Sequence, residues 1–403
     1  MLRLDNFRHI VPDETLAEIY AKARGLYGKH IIHLNATYQG GGVAEILYSL
    51  VMLMNDVGID AGWRILHGSQ EFFEITKSFH NALQGAKLNL SERKRRLYTQ
   101  INESFARFTH LNHDCVIVHD PQPLALIQKY RKQQPWIWRC HIDLTDPHRI
   151  LWDFLKGFIL KYDEVVVSSE KYFKKDLPVP QRLIYPAINP LSAKNTAISD
   201  RVIRDQLARA DVPTDKPIIT QVSRLDPWKD PEGVIDVFRL VKEKVDCRLM
   251  LCYNVASDDP EGLQMYKKVQ RKGNRLLQDG EILLVVGNNE TLVNAIQRFS
   301  NVIIQKSTKE GFCLAVTEAL WKGTPVVASN VGGIPSQIQD GRNGFLLDPT
   351  DTEGFADRII HLLKNPKEGR ELGRVGKETV RDKFLITRLL DDYLDMLNAV
   401  MRK

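Results

Sequence analysis

NVIIQKSTKEGFCLAVTEALWKGTPVVASN, residues 301–330, sets two short apolar runs, NVIIQKS and PVVASN, on either side of a helix-patterned segment. Runs this rich in β-branched residues read as strands buried on both faces. A helix leading from one to the next is the crossover that parallel pairing requires. Gly323 suits the first position past the helix, where the chain turns left-handed at no steric cost. Glu310 then falls in the loop leaving the first strand, and Glu318 about one turn inside the helix. Either carboxylate alone reads as a solvated or dipole-stabilising group, so their spacing by itself decides nothing.

The same alternation extends outward in both directions. After a helical opening from Pro12 to about Leu26, the runs HIIHLNAT, AGWRILHG, CVIVHD, WIWRCHI, EVVVSS and RLIYPAI recur, separated by helix-patterned segments. PIITQVSR, CRLMLCYN, EILLVVGN, NVIIQKS, PVVASN and GFLLD follow in the second half. Val43, Ile46, Leu47, Leu50 and Met54 line one face of an intervening helix. The pattern predicts an α/β protein of two doubly wound, Rossmann-like domains. Polar NPLSAKNTAISD reads as the linker, placed near 190–205, which gives domains over 1–192 and 193–382 and a closing amphipathic helix over 383–403.

A chain of 403 residues is too long for one ordinary core. Its 43% hydrophobic and 26% charged content excludes disordered and fibrous classes. The net charge of +6 is spread along the chain, and its densest cluster, SERKRRLYTQ, reads as a solvated helix face, so a small anionic ligand suits it better than nucleic acid. The five cysteines are odd in number and form no metal-ligand spacing, as expected in a reducing cytoplasm. The N-terminus lacks a signal peptide's apolar centre, and no segment of about 20 apolar residues offers a membrane span.

Ligands of doubly wound sheets bind at the carboxyl ends of the strands, beside the positive ends of the following helices. Four groups of residues fall there. Gly40, Gly41 and Gly42 follow the first strand, where they either make a tight turn or let backbone N–H groups approach an anion. His119 and Asp120 end one strand, and Arg139, His141 and Asp143 end another; Asp120 and His141 there suit hydroxyl recognition. Arg224 and Lys229 precede the helix start DPEGVID, with Asp230 as N-cap and Pro231 at its first position. They suit a phosphate, with a surface ion pair to Asp226 or Asp230 as the plainer alternative. The fourth group is the loop holding Glu310.

Together SRLDPWK, EGFCLAVTEAL, the GTPVVASNVGGIPSQIQDGRNGFLL after it and the early glycine loop resemble the retaining nucleotide-sugar glycosyltransferases of family 4. HLNATYQGGGVAEIL, FHNALQG, VHDPQPLALI and WIWRCHIDLT are similar to the trehalose glycosyltransferring synthases and the related retaining trehalose phosphorylases. The resemblance implies a GT-B fold, two domains facing each other across a cleft, with the closing helix packed back on the first. It implies transfer of glucose from ADP- or UDP-glucose to free glucose, giving α,α-trehalose.

Carried over by position, Arg224 and Lys229 would hold the diphosphate as it leaves. Glu310 would meet the donor glucose hydroxyls, Glu318 the donor ribose, and the N–H groups of Cys313, Leu314 and Ala315 phosphate and sugar. Gly41 and Gly42 would close over the diphosphate from the first domain, His141 would lie near the transferred glucose, and Asp120 near both sugars. Asn288, in VGNN, is where the base would be read. Cys313 stands where the family often has Gly or Asn. The family pattern sets Glu310 against hydroxyls rather than as a nucleophile, with the diphosphate taking the acceptor's proton on the same face. No tightly bound cofactor, nucleic acid or membrane partner is implied; Mg2+ carried with the nucleotide and homo-oligomerisation stay open.

A phosphorylase, or a transferase with another sugar acceptor, is the nearest alternative. A dinucleotide oxidoreductase would want G-x-G-x-x-G followed by an acidic residue, and the chain has none. A silent sugar-nucleotide sensor fits poorly with intact Arg/Lys and Glu/Glu sets.

Overall fold

The computed structural model describes residues 2–38, 41–254, 260–287 and 289–402. They form two compact units, residues 1–187 with 386–403 and residues 188–385.

In unit 1 a short helix α1 (Asp13–Ala23) precedes β1 (His30–Asn35), α2 (Gly42–Asp56) and β2 (Asp60–Ile65). Then come α3 (Gln70–Leu83), α4 (Glu92–Phe108), β3 (Cys115–His119), β4 (Trp136–Arg139), α5 (Arg149–Ile159), β5 (Glu164–Val167) and β6 (Gln181–Leu183). The sheet order is β2-β1-β3-β4-β5-β6, with every pairing parallel. Strands β3, β4 and β5 are buried along their whole length, as strands covered on both faces must be. On α2, Ile46, Leu47, Leu50 and Met54 are buried, while Val43 is only partly covered. Basic α4 buries only Tyr98 and Asn102 and leaves its charges to solvent, as its composition predicts.

Unit 2 runs α6 (Asp200–Arg209), β7 (Ile218–Arg224), α7 (Pro231–Lys242), β8 (Arg248–Asn254), α8 (Pro260–Gln278), β9 (Ile282–Val286), α9 (Glu290–Phe299) and β10 (Val302–Gln305). It continues with α10 (Leu314–Trp321), β11 (Val326–Ser329), β12 (Phe345–Leu347), α11 (Thr352–Lys364) and α12 (Pro366–Lys383). Its order is β12-β11-β10-β7-β8-β9, again parallel throughout. The last helix, α13 (Ile386–Val400), belongs to unit 1, where Lys22 of α1 pairs with Asp391 and Asp395 at 2.7 and 2.9 Å.

The polar segment expected as a linker near 190–205 is instead folded into unit 2. Asn195 is buried; its carbonyl accepts from Trp321 Nε1 at 3.1 Å and its Oδ1 from Lys322 Nζ at 2.9 Å. Asn294 Nδ2 donates to the carbonyls of Ala193 and Thr196 at 2.9 and 2.8 Å. The segment is polar because its backbone is satisfied by side chains rather than by a ladder.

Each sheet reverses its strand order once, between β1 and β3 in unit 1 and between β7 and β10 in unit 2. A crevice opens beyond the carboxyl ends of the strands at such a point, because the loops on either side leave in opposite directions. Gly41 and Gly42, Asp120, Arg224 and Lys229, and Glu310 follow those four strands, while His141 follows the adjacent β4.

Candidate functional site

In unit 2, β7 ends at Arg224 and runs into a single helical turn, Pro227–Lys229. Asp226 caps that turn through the Trp228 N–H at 2.9 Å, and Gln221 Nε2 donates to the Lys229 carbonyl at 2.7 Å. Arg224 Nη2 reaches Asp226 Oδ2 at 3.3 Å, so the plainer ion pair exists, yet half of the arginine side chain stays exposed (49%). The Lys229 ammonium turns inward and closes on the Glu310 carboxylate, with both side chains largely buried. Ser307 Oγ donates to the same Glu310 oxygen at 3.3 Å. Burial disfavours the lysine's charge, but the Glu310 carboxylate outweighs it and raises the Lys229 pKa.

Asp230 does two things in a left-handed conformation (φ 47°): it caps α7 through the Gly233 N–H at 3.0 Å, and it pairs with Lys306 Nζ at 2.6 Å. Lys306, buried at the end of β10, had no signal in its own sequence neighbourhood.

The loop from Glu310 to Cys313 leads into α10. Gly333 donates its N–H to the Glu310 carbonyl at 3.2 Å, and a Cβ at Gly333 would lie 2.6 Å from the Gly311 carbonyl oxygen and 2.9 Å from Phe312 Cα. The downstream VGG motif is therefore a packing surface for this loop. Gln337 Nε2 donates to the carbonyls of Phe312 and Cys313, and its Oε1 accepts from Thr317 at 2.6 Å. Cys313 is buried in a left-handed conformation (φ 74°), which glycine and asparagine adopt most readily. Burial raises the thiol's pKa and keeps it protonated. Leu314 and Ala315 open α10, whose first-turn N–H groups have no partner within the helix.

Glu318 is buried on α10, with Gln297 Nε2 at 3.4 Å and Lys194 Nζ at 3.6 Å. Lys229 and Ser307 thus hold Glu310, whereas Gln297 and Lys194 hold Glu318. The two glutamates serve one loop and helix through separate networks, not as a coupled acid and base.

In unit 1, Gly41 and Gly42 lead from β1 into α2, and a Cβ at Gly41 would meet open space. Gly40 and Asn288 lie outside the described residues. Asp120 takes a left-handed conformation (φ 62°) just past β3; its N–H donates to the Arg139 carbonyl at 2.9 Å, and its Oδ1 accepts the His141 N–H at 2.8 Å. Burial pushes the Asp120 pKa up to about 7, against the His141 N–H and the Arg139 charge. Two of the strand-end residues turn inward. Arg139 is buried against the Val167 carbonyl and Ser168 Oγ at 3.0 and 3.2 Å, and Asp143 is buried, with Oδ1 accepting from the Thr145 N–H at 2.8 Å.

Asp120 and His141 thus share one strand-end site. It contains a feature the sequence hides: His33 Nδ1 lies 3.0 Å from His119 Nε2, and His119 Nδ1 lies 3.0 Å from His141 Nε2. The strand-end positions of His119 and His141 were legible in the sequence, but the sequence trace of the third ring is only a histidine inside the apolar run HIIHLN.

Two family descriptions match the chain: "Trehalose synthase, N-terminal domain" over residues 33–174 and "Glycosyl transferases group 1" over residues 202–379. A trehalose synthase of Thermococcus litoralis is 47% identical over 401 residues, covering 98% of this chain and 97% of its own. A trehalose phosphorylase of Pleurotus pulmonarius is 26% identical over 86% of this chain and 54% of its own. Among solved structures, sucrose-phosphate synthase from Thermosynechococcus elongatus superposes with a TM-score of 0.74 at 18% identity, covering 93% of this chain and 100% of its own. It shares the two-domain GT-B fold.

Proposed function

The chain belongs to the trehalose synthase family of group 1 glycosyltransferases, and from that premise we propose how its residues carry out the reaction. It forms trehalose by glucosyl transfer. In our reading the donor is a nucleoside-diphosphate glucose, ADP- or UDP-linked, the acceptor is free glucose, and the product is α,α-trehalose with the donor's anomeric configuration kept.

The observation that carries this reading is the convergence in unit 2 of Lys229, Glu310 and the first turn of α10. Breaking the bond between glucose and diphosphate places negative charge on the leaving group and positive character on the sugar. Lys229, half-exposed Arg224 and the N–H groups at Cys313, Leu314 and Ala315 answer the first as a preorganised electrostatic site. Glu310, held by Lys229 and Ser307, presents acceptor oxygens to sugar hydroxyls, and Glu318 binds the ribose. In unit 1, Gly41 and Gly42 offer backbone to phosphate, while His141 and Asp120 bind sugar hydroxyls.

Retention follows if the departing diphosphate takes the acceptor hydroxyl's proton on the face it leaves, so no carboxylate need become covalently bound. Among the described residues, no three His, Cys, Asp or Glu side chains converge to hold a metal ion, and none of these steps is routed through one. No helix among the described residues is long and apolar enough to cross a membrane.

The test is a donor panel with free glucose as acceptor. Equal release of nucleoside diphosphate and trehalose supports the reading. Phosphorolysis of trehalose by inorganic phosphate without nucleotide turnover would replace it with the phosphorylase alternative.

A further inference from the structure

Three imidazoles from three segments of unit 1 form one line: His33 on β1, His119 at the end of β3 and His141 beyond β4. Their rings stack with centroids 5.3 Å apart at each step. His33 and His119 are almost fully buried (0% and 1% exposed), and His141 is partly exposed. Both links join ring nitrogens at 3.0 Å, so each needs one N–H and one lone pair.

Burial keeps all three rings neutral, and a neutral ring carries a single N–H. The links then admit two arrangements. In one, every ring is protonated on Nδ1; in the other, every ring is protonated on Nε2. A mixture would leave two lone pairs, or two N–H groups, facing each other.

The inner end of the line separates the two. His33 Nε2 is buried with no hydrogen-bond partner and packs near the Tyr393 ring, 6.0 Å between centroids. The Nε2-protonated arrangement would bury an orphan N–H there, which folded proteins avoid more strictly than an unfilled acceptor. We infer that His33 and His119 are positioning residues that lock His141 as the Nδ1–H tautomer, so that His141 can act only as a hydrogen-bond donor through its outer nitrogen. The donor's role toward a sugar oxygen rests on the function proposed above, whereas the tautomer pattern does not.

The inference predicts a pattern opposite to free histidine, whose neutral ring favours Nε2–H. The full chain, labelled with 15N in its imidazoles and assigned by through-bond transfer from the backbone, is measured near pH 7.5 without ligand. Nδ1 protonation at all three rings is expected. Nε2 protonation at any one of them, or a cationic His141, overturns the inference and needs no variant to do so.

Kinetics tests the consequence. His119→Phe removes the donor to His141 and is expected to lower kcat for glucosyl transfer about tenfold, the effect of one misdirected hydrogen bond. The donor KM should stay within about twofold. His119→Asn places an amide N–H where Nδ1 stood and should recover most of the loss. An unchanged kcat in His119→Phe, or no recovery in a folded His119→Asn, removes the positioning role. Absence of glucosyl transfer in the unaltered protein would sink the proposed function while leaving the tautomer pattern standing.

Discussion

Lys229, at the end of the turn after β7, and Glu310, in the loop after β10, neutralise each other across the strand-order reversal of unit 2. The lysine is therefore held in place before any anion arrives, and a bound diphosphate would share an ammonium that is already oriented. Such preorganisation avoids the cost of ordering a long side chain during the reaction.

Removing the cation separates the two contributions of this pair. Lys229→Ala should lower turnover by several orders of magnitude, through loss of leaving-group stabilisation, and should destabilise unit 2 by about 1–3 kcal/mol because the largely buried Glu310 carboxylate loses its cation and keeps Ser307. Adding Glu310→Gln should restore the thermal midpoint while activity stays lost. Steady-state kinetics with thermal unfolding of both variants checks this, and near-normal turnover in Lys229→Ala would remove the diphosphate assignment.

The glycine motif after β11 gives a second prediction. A methyl at Gly333 meets backbone atoms of Gly311 and Phe312, which cannot yield by changing rotamer. Gly333→Ala should cost about 1–3 kcal/mol by overpacking and shift the loop that carries Glu310. Donor KM should rise and kcat fall, whereas Gly341→Ala, at a left-handed turn with open space around it (φ 70°), should affect stability alone.

The twelve strands among the described residues were legible because they fall in compact apolar runs bounded by polar turn residues, and parallel burial makes that signal strong. Asp230 as cap and Gly323 beyond α10 were legible for a similar reason: both depend on neighbours within a few residues. The missed features depend on partners far along the chain. His33 meets His119 across 86 residues and Lys306 meets Asp230 across 76. Asn195 serves as a buried hub for Trp321 and Lys322, although its own stretch has a linker's composition.

The histidine line makes unit 1 sensitive to acid. Burial pushes His33 down to about 3 and holds His119 and His141 well below the ordinary histidine value; the charge of Arg139 adds to the effect on the last two. Tyr393 and Asp120 are the other titratable groups close to the line. A base with a depressed folded pKa gives stability that is complete above its unfolded value, about 6.5, and is lost as pH falls below it. Asp120 acts in the opposite sense, since its carboxyl, raised to about 7, stays protonated when folded and favours the folded state as pH falls. Proton uptake by the three rings on unfolding outweighs the release from Asp120, so stability falls as pH drops from about 6 towards 4. Urea unfolding across that range should show the slope, and His33→Phe should reduce the uptake by about one proton; an unchanged slope would show that the rings protonate while the protein is folded.

Asp230 carries the last prediction because two burdens meet in one carboxylate. It fills an orphan N–H at the start of α7, and it neutralises Lys306, whose side chain is only 5% exposed. Phe355 also approaches that ammonium, 6.0 Å from ring centroid to Nζ, but an aromatic face cannot replace a full charge. Asp230→Ala should therefore cost more than a lost cap, about 1 kcal/mol, and approach the roughly 3–5 kcal/mol of a broken buried pair. Asp230→Asn keeps a capping oxygen and loses only the charge, so it isolates the second burden. Lys306→Met combined with Asp230→Asn should recover much of the stability, since an apolar side chain of similar length needs no partner in that space. Chemical denaturation of the three variants decides the matter: a loss in Asp230→Ala that is absent in Asp230→Asn would mean that the cap, and not the buried pair, holds this corner of unit 2.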